Sequence, residues 1–195
     1  RITVGLTPRS DRRVGITSAI AEPLLADLDD LTLAGPYRFV LGAVSRFRDA
    51  LDTGFDLEIA SAIDPTLGLG SSAAVTIASL GVIATFAGLP VDGLHQDAFA
   101  IVRSIQGRGS GADLAASLMG GMLAYRAPPD ADVQPLPTPP QLSLRYCGYK
   151  TPTGEVLQQI ATRMQGREAE FTALYATMGE SAETVSYTHL RAHET

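Results

Sequence analysis

Two glycine- and serine-rich runs hold the residues of this chain whose types and spacing could do chemistry. The first is Pro65-Thr66-Leu67-Gly68-Leu69-Gly70-Ser71-Ser72-Ala73-Ala74. Gly68 and Gly70 admit backbone conformations closed to other residues and let the main chain approach a ligand closely. Ser71 and Ser72 bring hydroxyls to the expected start of a long apolar helix, where free N–H groups and the helix dipole favour an anion. Such a run suits a polyphosphate. It is not a Walker loop, because no Gly-Lys-Ser/Thr follows the glycines. A plainer reading makes it a glycine turn whose serines cap a buried helix.

The second run is Gln106-Gly107-Arg108-Gly109-Ser110-Gly111-Ala112-Asp113. An acidic side chain fixed beside an amide-rich loop can orient a hydroxyl and accept its proton. Phosphoryl transfer asks for that kind of positioning more than for covalent chemistry. Arg108 could grip a carboxylate or phosphate through its planar fork. The alternative makes Asp113 a helix N-terminal charge and Arg108 a solvated surface residue.

The elements that must position these runs follow from periodicity. Ile2, Val4 and Leu6 alternate as in a strand, Pro8-Arg9-Ser10-Asp11 supplies turn chemistry, and Arg13–Ser18 reads as a second strand. A chain that opens in mid-sheet without Met leads us to expect a segment upstream. Gly35-Pro36 opens a helical pattern reaching about Leu51, with Phe39, Val40, Ala43, Val44 and Phe47 on one face. Phe55, Leu57 and Ile59 alternate with Asp56, Glu58 and Ala60, which predicts a half-buried strand. Helices are expected from about Ser72 to Ala87 and from Gly93 to Ile105, the latter carrying His95 as an ordinary helix residue. A short helix after Gly111 and a strand over Met122–Arg126 complete this half.

Six prolines between Ala127 and Gln141 predict a linker or surface loop. Beyond it, Leu142–Tyr149 reads as a strand, and Gly154–Met164 and Glu168–Met178 read as helices. The last ten residues, Ser186–Thr195, match neither the preceding pattern nor any motif above and resemble translated adapter sequence. The true reading frame is therefore expected to be lost near Val185. His189 and His193 have the spacing of a metal pair, but Glu194 lies outside the two histidines, unlike a zinc-protease motif.

Composition sets the bounds. The 195 residues are 45% hydrophobic and 18% charged, enough apolar material for a packed core. A net charge of −6 argues against a nucleic-acid partner, which needs a basic face. A phosphorylated small ligand remains compatible, since local amides suffice to hold it. The lone Cys147 excludes an intrachain disulfide, and its apolar and aromatic neighbours predict burial as a small hydrophobe. The longest apolar stretch, Ala73–Leu89, is interrupted by Thr76, Ser79, Gly81, Thr85 and Gly88, so no membrane span is expected. Nothing at the start reads as a signal peptide, and the expected compartment is the cytoplasm.

Taken together, the two runs resemble one family. Gly68–Ala74 (GLGSSAA) is similar to the phosphate-binding motif of the galactokinase, homoserine, mevalonate and phosphomevalonate kinases, the GHMP kinases. Asp113, followed by Leu-Ala-Ala-Ser and Gly120-Gly121, sits where mevalonate-type members carry their catalytic aspartate. The segment Cys147–Thr153 similarly resembles the entry into the C-terminal domain that lines the substrate cleft. The resemblance covers roughly residues 1–180.

The resemblance implies an α+β fold of two sandwiches meeting at a cleft. Residues 1–127 would form the ATP-binding domain, 128–141 a proline-rich linker, 142–185 part of a ferredoxin-like C-terminal domain, and 186–195 a non-native tail. It implies ATP and Mg²⁺ as cofactors and transfer of the γ-phosphate to a small metabolite. A mevalonate-pathway substrate is expected first and a sugar second. Amides of Gly68, Leu69, Gly70, Ser71, Ser72 and Ala73 would hold the phosphates, and Ser72 would ligate magnesium. Asp113 would orient or deprotonate the acceptor, with Arg108, Ser110 and Gly111 lining the substrate side. No membrane partner is implied, and oligomeric state is not legible.

Departures are equally specific. Mevalonate kinases carry a magnesium-binding glutamate eleven residues before the aspartate, where this chain has Val102. The phosphomevalonate branch also lacks it, but its glycine-rich run is one residue longer. The Pro-Gly-Lys substrate motif and the third, C-terminal glycine-rich motif are absent. The 195-residue chain is accordingly expected to turn over little or nothing by itself. Two other readings stay open: an ATP-dependent decarboxylase of diphosphomevalonate type, and a non-catalytic nucleotide sensor on the same scaffold.

Overall fold

The computed structural model describes residues 1–136, 143–149, 151 and 153–191, the side chains of 153 and 186–191 excepted. The chain divides into two compact units, Arg1–Gly120 and Gly121–Thr195, and the fold is α+β.

In the first unit four strands form one sheet in the order β1 (Ile2–Pro8), β4 (Phe55–Ser61), β2 (Arg13–Ser18), β3 (Ala21–Asp27). The β1–β4 and β2–β3 pairs are antiparallel and β2–β4 is parallel. β4 and β2 lie inside the sheet and bury Phe55, Leu57, Val14 and Ile16 almost completely. Each such side chain contributes about 1.5–3 kcal/mol. Asp56 and Glu58 alternate out to solvent, so one face of the sheet is left for helices.

Those helices are α1 (Arg38–Phe47), α2 (Ser71–Phe86), α3 (Leu94–Gln106) and α4 (Ala112–Met119). α2 is apolar nearly all round because it is surrounded, packing against α1, α3, α4 and β1. Tyr37 anchors the entrance to α1: its hydroxyl donates to the Ala21 carbonyl at 3.1 Å and lies 3.0 Å from Ser18 Oγ. Gly54 has a steric reason to be glycine, since a Cβ there would fall 1.9 Å from the Arg13 carbonyl oxygen. Its N–H donates to the Asp11 carbonyl at 2.7 Å and its carbonyl accepts from the Arg9 N–H at 3.0 Å, which laces the β1–β2 connection to the start of β4.

The second unit holds an antiparallel ribbon of β5 (Met122–Arg126) and β6 (Asp132–Leu136), with helices α5 (Thr153–Arg163) and α6 (Glu168–Arg191). An Arg126–Glu183 ion pair at 3.1 Å links β5 to α6.

Several expectations are corrected. β3 has no counterpart among the expected strands, because Pro23 and the charged residues mask its pattern; it is an edge strand, where a residue without an N–H is tolerated. Part of the proline-rich stretch forms β6 for a similar reason, with Pro135 in a two-stranded ribbon. α1 stops at Phe47 and a 3₁₀ turn, Arg48–Ala50, completes the path to Leu51. Residues 143–149 form no strand, and Leu142, Lys150 and Pro152 lie outside the described residues. Cys147 is exposed rather than buried, its Sγ donating to the Tyr149 carbonyl at 3.4 Å. No core lies beside it, since Leu144, Tyr146 and Tyr149 are themselves exposed. α6 passes through Ser186 to Arg191 instead of ending near Met178. The His189 side chain, His193 and Glu194 lie outside the described residues.

Candidate active site

The first loop is built by a small polar device. Asp64 caps the 3₁₀ turn Pro65–Leu67: its Oδ1 accepts from the Thr66 N–H at 2.8 Å and the Thr66 hydroxyl at 2.6 Å. Those two donors hold the Asp64 carboxyl below its ordinary range, the Thr66 hydroxyl contributing most. Asp64-Pro65 carries a sequence signal of its own, a capping residue followed by proline at the first helical position.

The chain then passes through Gly68 (φ +72°) and Gly70 (φ +69°), both left-handed, and enters α2. Gly70 is the N-cap and has no side chain, so no side-chain oxygen caps the first turn of α2. Backbone N–H groups at an uncapped helix start are donors for an external acceptor. Ser71 and Ser72 are half-buried there, whereas Gly68 and Leu69 are exposed and Ala73 is buried. A Cβ at Gly68 would meet nothing within 4 Å, so the space over the loop is open.

The second loop repeats the plan. Gly107 (φ +75°), Gly109 (φ +149°) and Gly111 (φ +84°) carry the chain from α3 to α4, and Gly111 is a left-handed N-cap without a side-chain cap. Asp113 stands exposed in the first turn of α4, its Oδ1 accepting from the Leu114 N–H at 3.0 Å. Ser110 Oγ accepts weakly from the Ala112 N–H at 3.4 Å. Arg108 is exposed and pairs with no carboxylate among the described residues. Val102 is buried, with Cγ1 3.7 Å from the place a Cβ on Gly109 would take, so it forms an apolar floor under this loop.

The two loops meet. A Cβ placed on Gly70 would lie 3.8 Å from the Cβ of Asp113, and α2 packs against α4. One location therefore joins the start of α2, whose N-cap has no side chain, with the start of α4, where Ser110 and Asp113 already accept from the Ala112 and Leu114 N–H groups. This arrangement suits the charges of magnesium and a polyphosphate: helix-start N–H groups for the anion, hydroxyl and carboxylate oxygens for a hard cation. Among the described residues, no group of three or more His, Cys, Asp and Glu converges as a protein-only metal cage. His95 had no sequence signal beyond a helix position, yet its Nε2 lies 3.1 Å from the Gly111 carbonyl oxygen.

A mixed sheet under helices, with glycine loops opening two of those helices at a common point, defines the first unit as an α+β domain. Comparison with known proteins shows what it is similar to. Residues 38–121 match the family described as GHMP kinases N terminal domain. A phosphomevalonate kinase from Streptomyces sp. (strain CL190) is 46% identical over 68 residues, covering 34% of this chain and 18% of that protein. A mevalonate kinase from Pyrococcus horikoshii is 28% identical over 130 residues, covering 65% and 38% respectively. The chain thus spans less than half the length of these curated relatives.

Solved structures agree on the fold. A Lin0012 protein from Listeria innocua superposes with a TM-score of 0.82 at 20% identity, over 96% of this chain and 63% of that one. A Streptococcus pneumoniae phosphomevalonate kinase, solved in complex with phosphomevalonate and AMPPNP, gives a TM-score of 0.52 at 19% identity, over 64% and 39%. Among the described residues, no helix is long and apolar enough to cross a membrane.

Proposed function

We propose that this chain is the phosphate-gripping part of an ATP-dependent small-molecule kinase acting on mevalonate or phosphomevalonate, with a sugar as the next choice of acceptor. The observation that carries the reading is the approach of Gly70 to Asp113, which supports one site for the phosphates and the acceptor. The curated relatives are kinases of mevalonate and phosphomevalonate, and one structural neighbour was solved with AMPPNP, which supports ATP as the donor.

In this reading, amides from Gly68 to Ala73 would hold the nucleotide phosphates, and Ser72 would supply an oxygen toward magnesium. The metal, when bound, neutralises charge on the phosphates. Asp113 accepts the proton of the acceptor hydroxyl or phosphate as its oxygen bonds to the γ-phosphorus and the bond to the bridging oxygen breaks. Ser110, Gly111 and Arg108 face the acceptor, Arg108 pairing with a carboxylate or phosphate. The apolar Val102 leaves Asp113 as the acid of this loop, the pattern that the phosphomevalonate branch resembles. The Pro-Gly-Lys and third glycine-rich motifs do not occur in these 195 residues, so turnover by them alone is expected to be slight.

Titration with AMPPNP and Mg²⁺ tests the reading directly. Binding by the wild-type chain, lost in Gly70→Val, is the expected result; a wild-type chain that binds no nucleotide would sink it. ADP release with mevalonate, phosphomevalonate or galactose, measured in the longer kinase, then identifies the acceptor.

A further inference from the structure

We propose that His95 is a positioning residue: its imidazole clamps the Gly111 carbonyl and so fixes the first turn of α4, from which Asp113 projects beside Gly70. Its consequence for catalysis rests on the kinase reading above; the clamp itself does not.

The geometry is specific. His95 is half-buried in the first turn of α3, 16 residues before Gly111, and its Nε2 lies 3.1 Å from that carbonyl oxygen. A carbonyl can only accept, so Nε2 carries the hydrogen; this holds for the neutral Nε2–H tautomer and for imidazolium alike. The Phe99 ring, one turn along α3, runs nearly parallel to the imidazole at 15°, with centroids 6.4 Å apart.

The same Gly111 oxygen accepts the first helical bond of α4, from the Ala115 N–H at 3.0 Å. One atom is therefore shared by the imidazole and by the helix that carries Asp113. The need for such a tether lies in the loop. Gly107, Gly109 and Gly111 all have positive φ, and ordering closely spaced glycines is entropically costly. Gly111 has no side chain with which to cap α4; Ser110 and Asp113 bond the Ala112 and Leu114 N–H groups locally, and His95 adds a restraint from α3. A carboxylate that must meet a reacting hydroxyl tolerates little error: misplacement by about 1 Å can cost on the order of a hundredfold in rate.

The test uses two substitutions of nearly equal shape in the 195-residue chain, His95→Gln, whose amide can still donate, and His95→Met, which cannot. Hydrogen–deuterium exchange is read at the Leu114 and Ala115 amides and, as a reference, in α1. His95→Met is expected to speed exchange at α4 roughly five- to tenfold, the loss of one net hydrogen bond, with α1 unchanged. His95→Gln is expected to stay near wild type.

Unchanged exchange in the Met variant would overturn the clamp. So would equal acceleration across the whole first unit, which indicates packing alone, or a Gln variant as loose as Met. In the longer kinase the Met variant is expected to lower kcat roughly tenfold with the KM for ATP unchanged, and Gln is expected to recover it. A loss confined to KM would also overturn the positioning role. Failure of the wild-type chain to bind AMPPNP would refute the kinase reading while the exchange result still decides the clamp.

Discussion

Asp113 stands against Gly70 so closely that a methyl group on the glycine would come within 3.8 Å of the aspartate Cβ. Gly70 also has φ +69°, where an L side chain is strained by roughly 1–2 kcal/mol. Gly70→Ala should therefore distort the loop through its backbone strain, while the added methyl makes ordinary van der Waals contact with the Asp113 Cβ. Gly88, at φ +67° with nothing within 4 Å of where a Cβ would lie, carries the same strain outside both loops. We expect similar losses of thermal stability in the two alanine variants, but a fall in AMPPNP affinity of about tenfold or more only in Gly70→Ala. Equal affinities in both would separate Gly70 from the nucleotide site.

Asp113→Asn keeps the shape and can still accept the Leu114 N–H through its amide oxygen. It removes the proposed base. The folded chain should therefore survive, with a stability loss of at most about 1 kcal/mol from the missing charge at a helix start. ADP release by the longer kinase should fall by about a hundredfold or more. A variant that keeps wild-type turnover would reduce Asp113 to a helix-capping charge.

Asp11 provides a pH handle away from that site. Its carboxylate pairs with the Arg9 guanidinium at 2.7 Å, and Arg9 also reaches Asp56 at 2.9 Å. The Arg9 hydrogen bonds, assisted by the Arg13 N–H, pull the Asp11 carboxyl from 3.8 down to about 2. Because the folded value is the lower one, the stabilisation is complete above the ordinary aspartate range. It is lost as the pH falls from about 4 through about 2. A carboxyl NMR titration should show this low midpoint, and Arg9→Ala should return it toward 3.8. An unchanged midpoint in that variant would show that the pair does not hold the proton off.

Ser79 is buried in α2 at 0% exposure, and its Oγ has no hydrogen-bond partner among the described residues. A buried unsatisfied hydroxyl costs about 1–3 kcal/mol, so Ser79→Ala is expected to be neutral or to stabilise by about 1 kcal/mol. Urea denaturation measures this. A clear loss of stability would mean that the hydroxyl finds a partner in solution.

The glycines, serines, apolar periodicity and Asp113 were legible because each acts locally. Left-handed turns select glycine, helix starts select small polar residues, and α2 announces itself by a long apolar run. These features, with the motif they compose, were enough to show the resemblance to GHMP kinases and to mark the two glycine-rich loops in the amino-acid order. Local signals failed where context overrides propensity. Pro23 in β3 and Pro135 in β6 speak against strands, yet an edge position asks nothing of the missing N–H. The apolar neighbours of Cys147 point to burial, but in the fold those neighbours are exposed too.

What the tertiary structure alone decided is proximity. Gly70 and Asp113 belong to different loops and different helices, and only the packing of α2 on α4 brings the two motifs together. His95 reaches Gly111 only because α3 folds back against α4. Neither pairing leaves a trace in periodicity or spacing, because side chains that meet across a core are chosen by packing geometry and not by their neighbours along the chain.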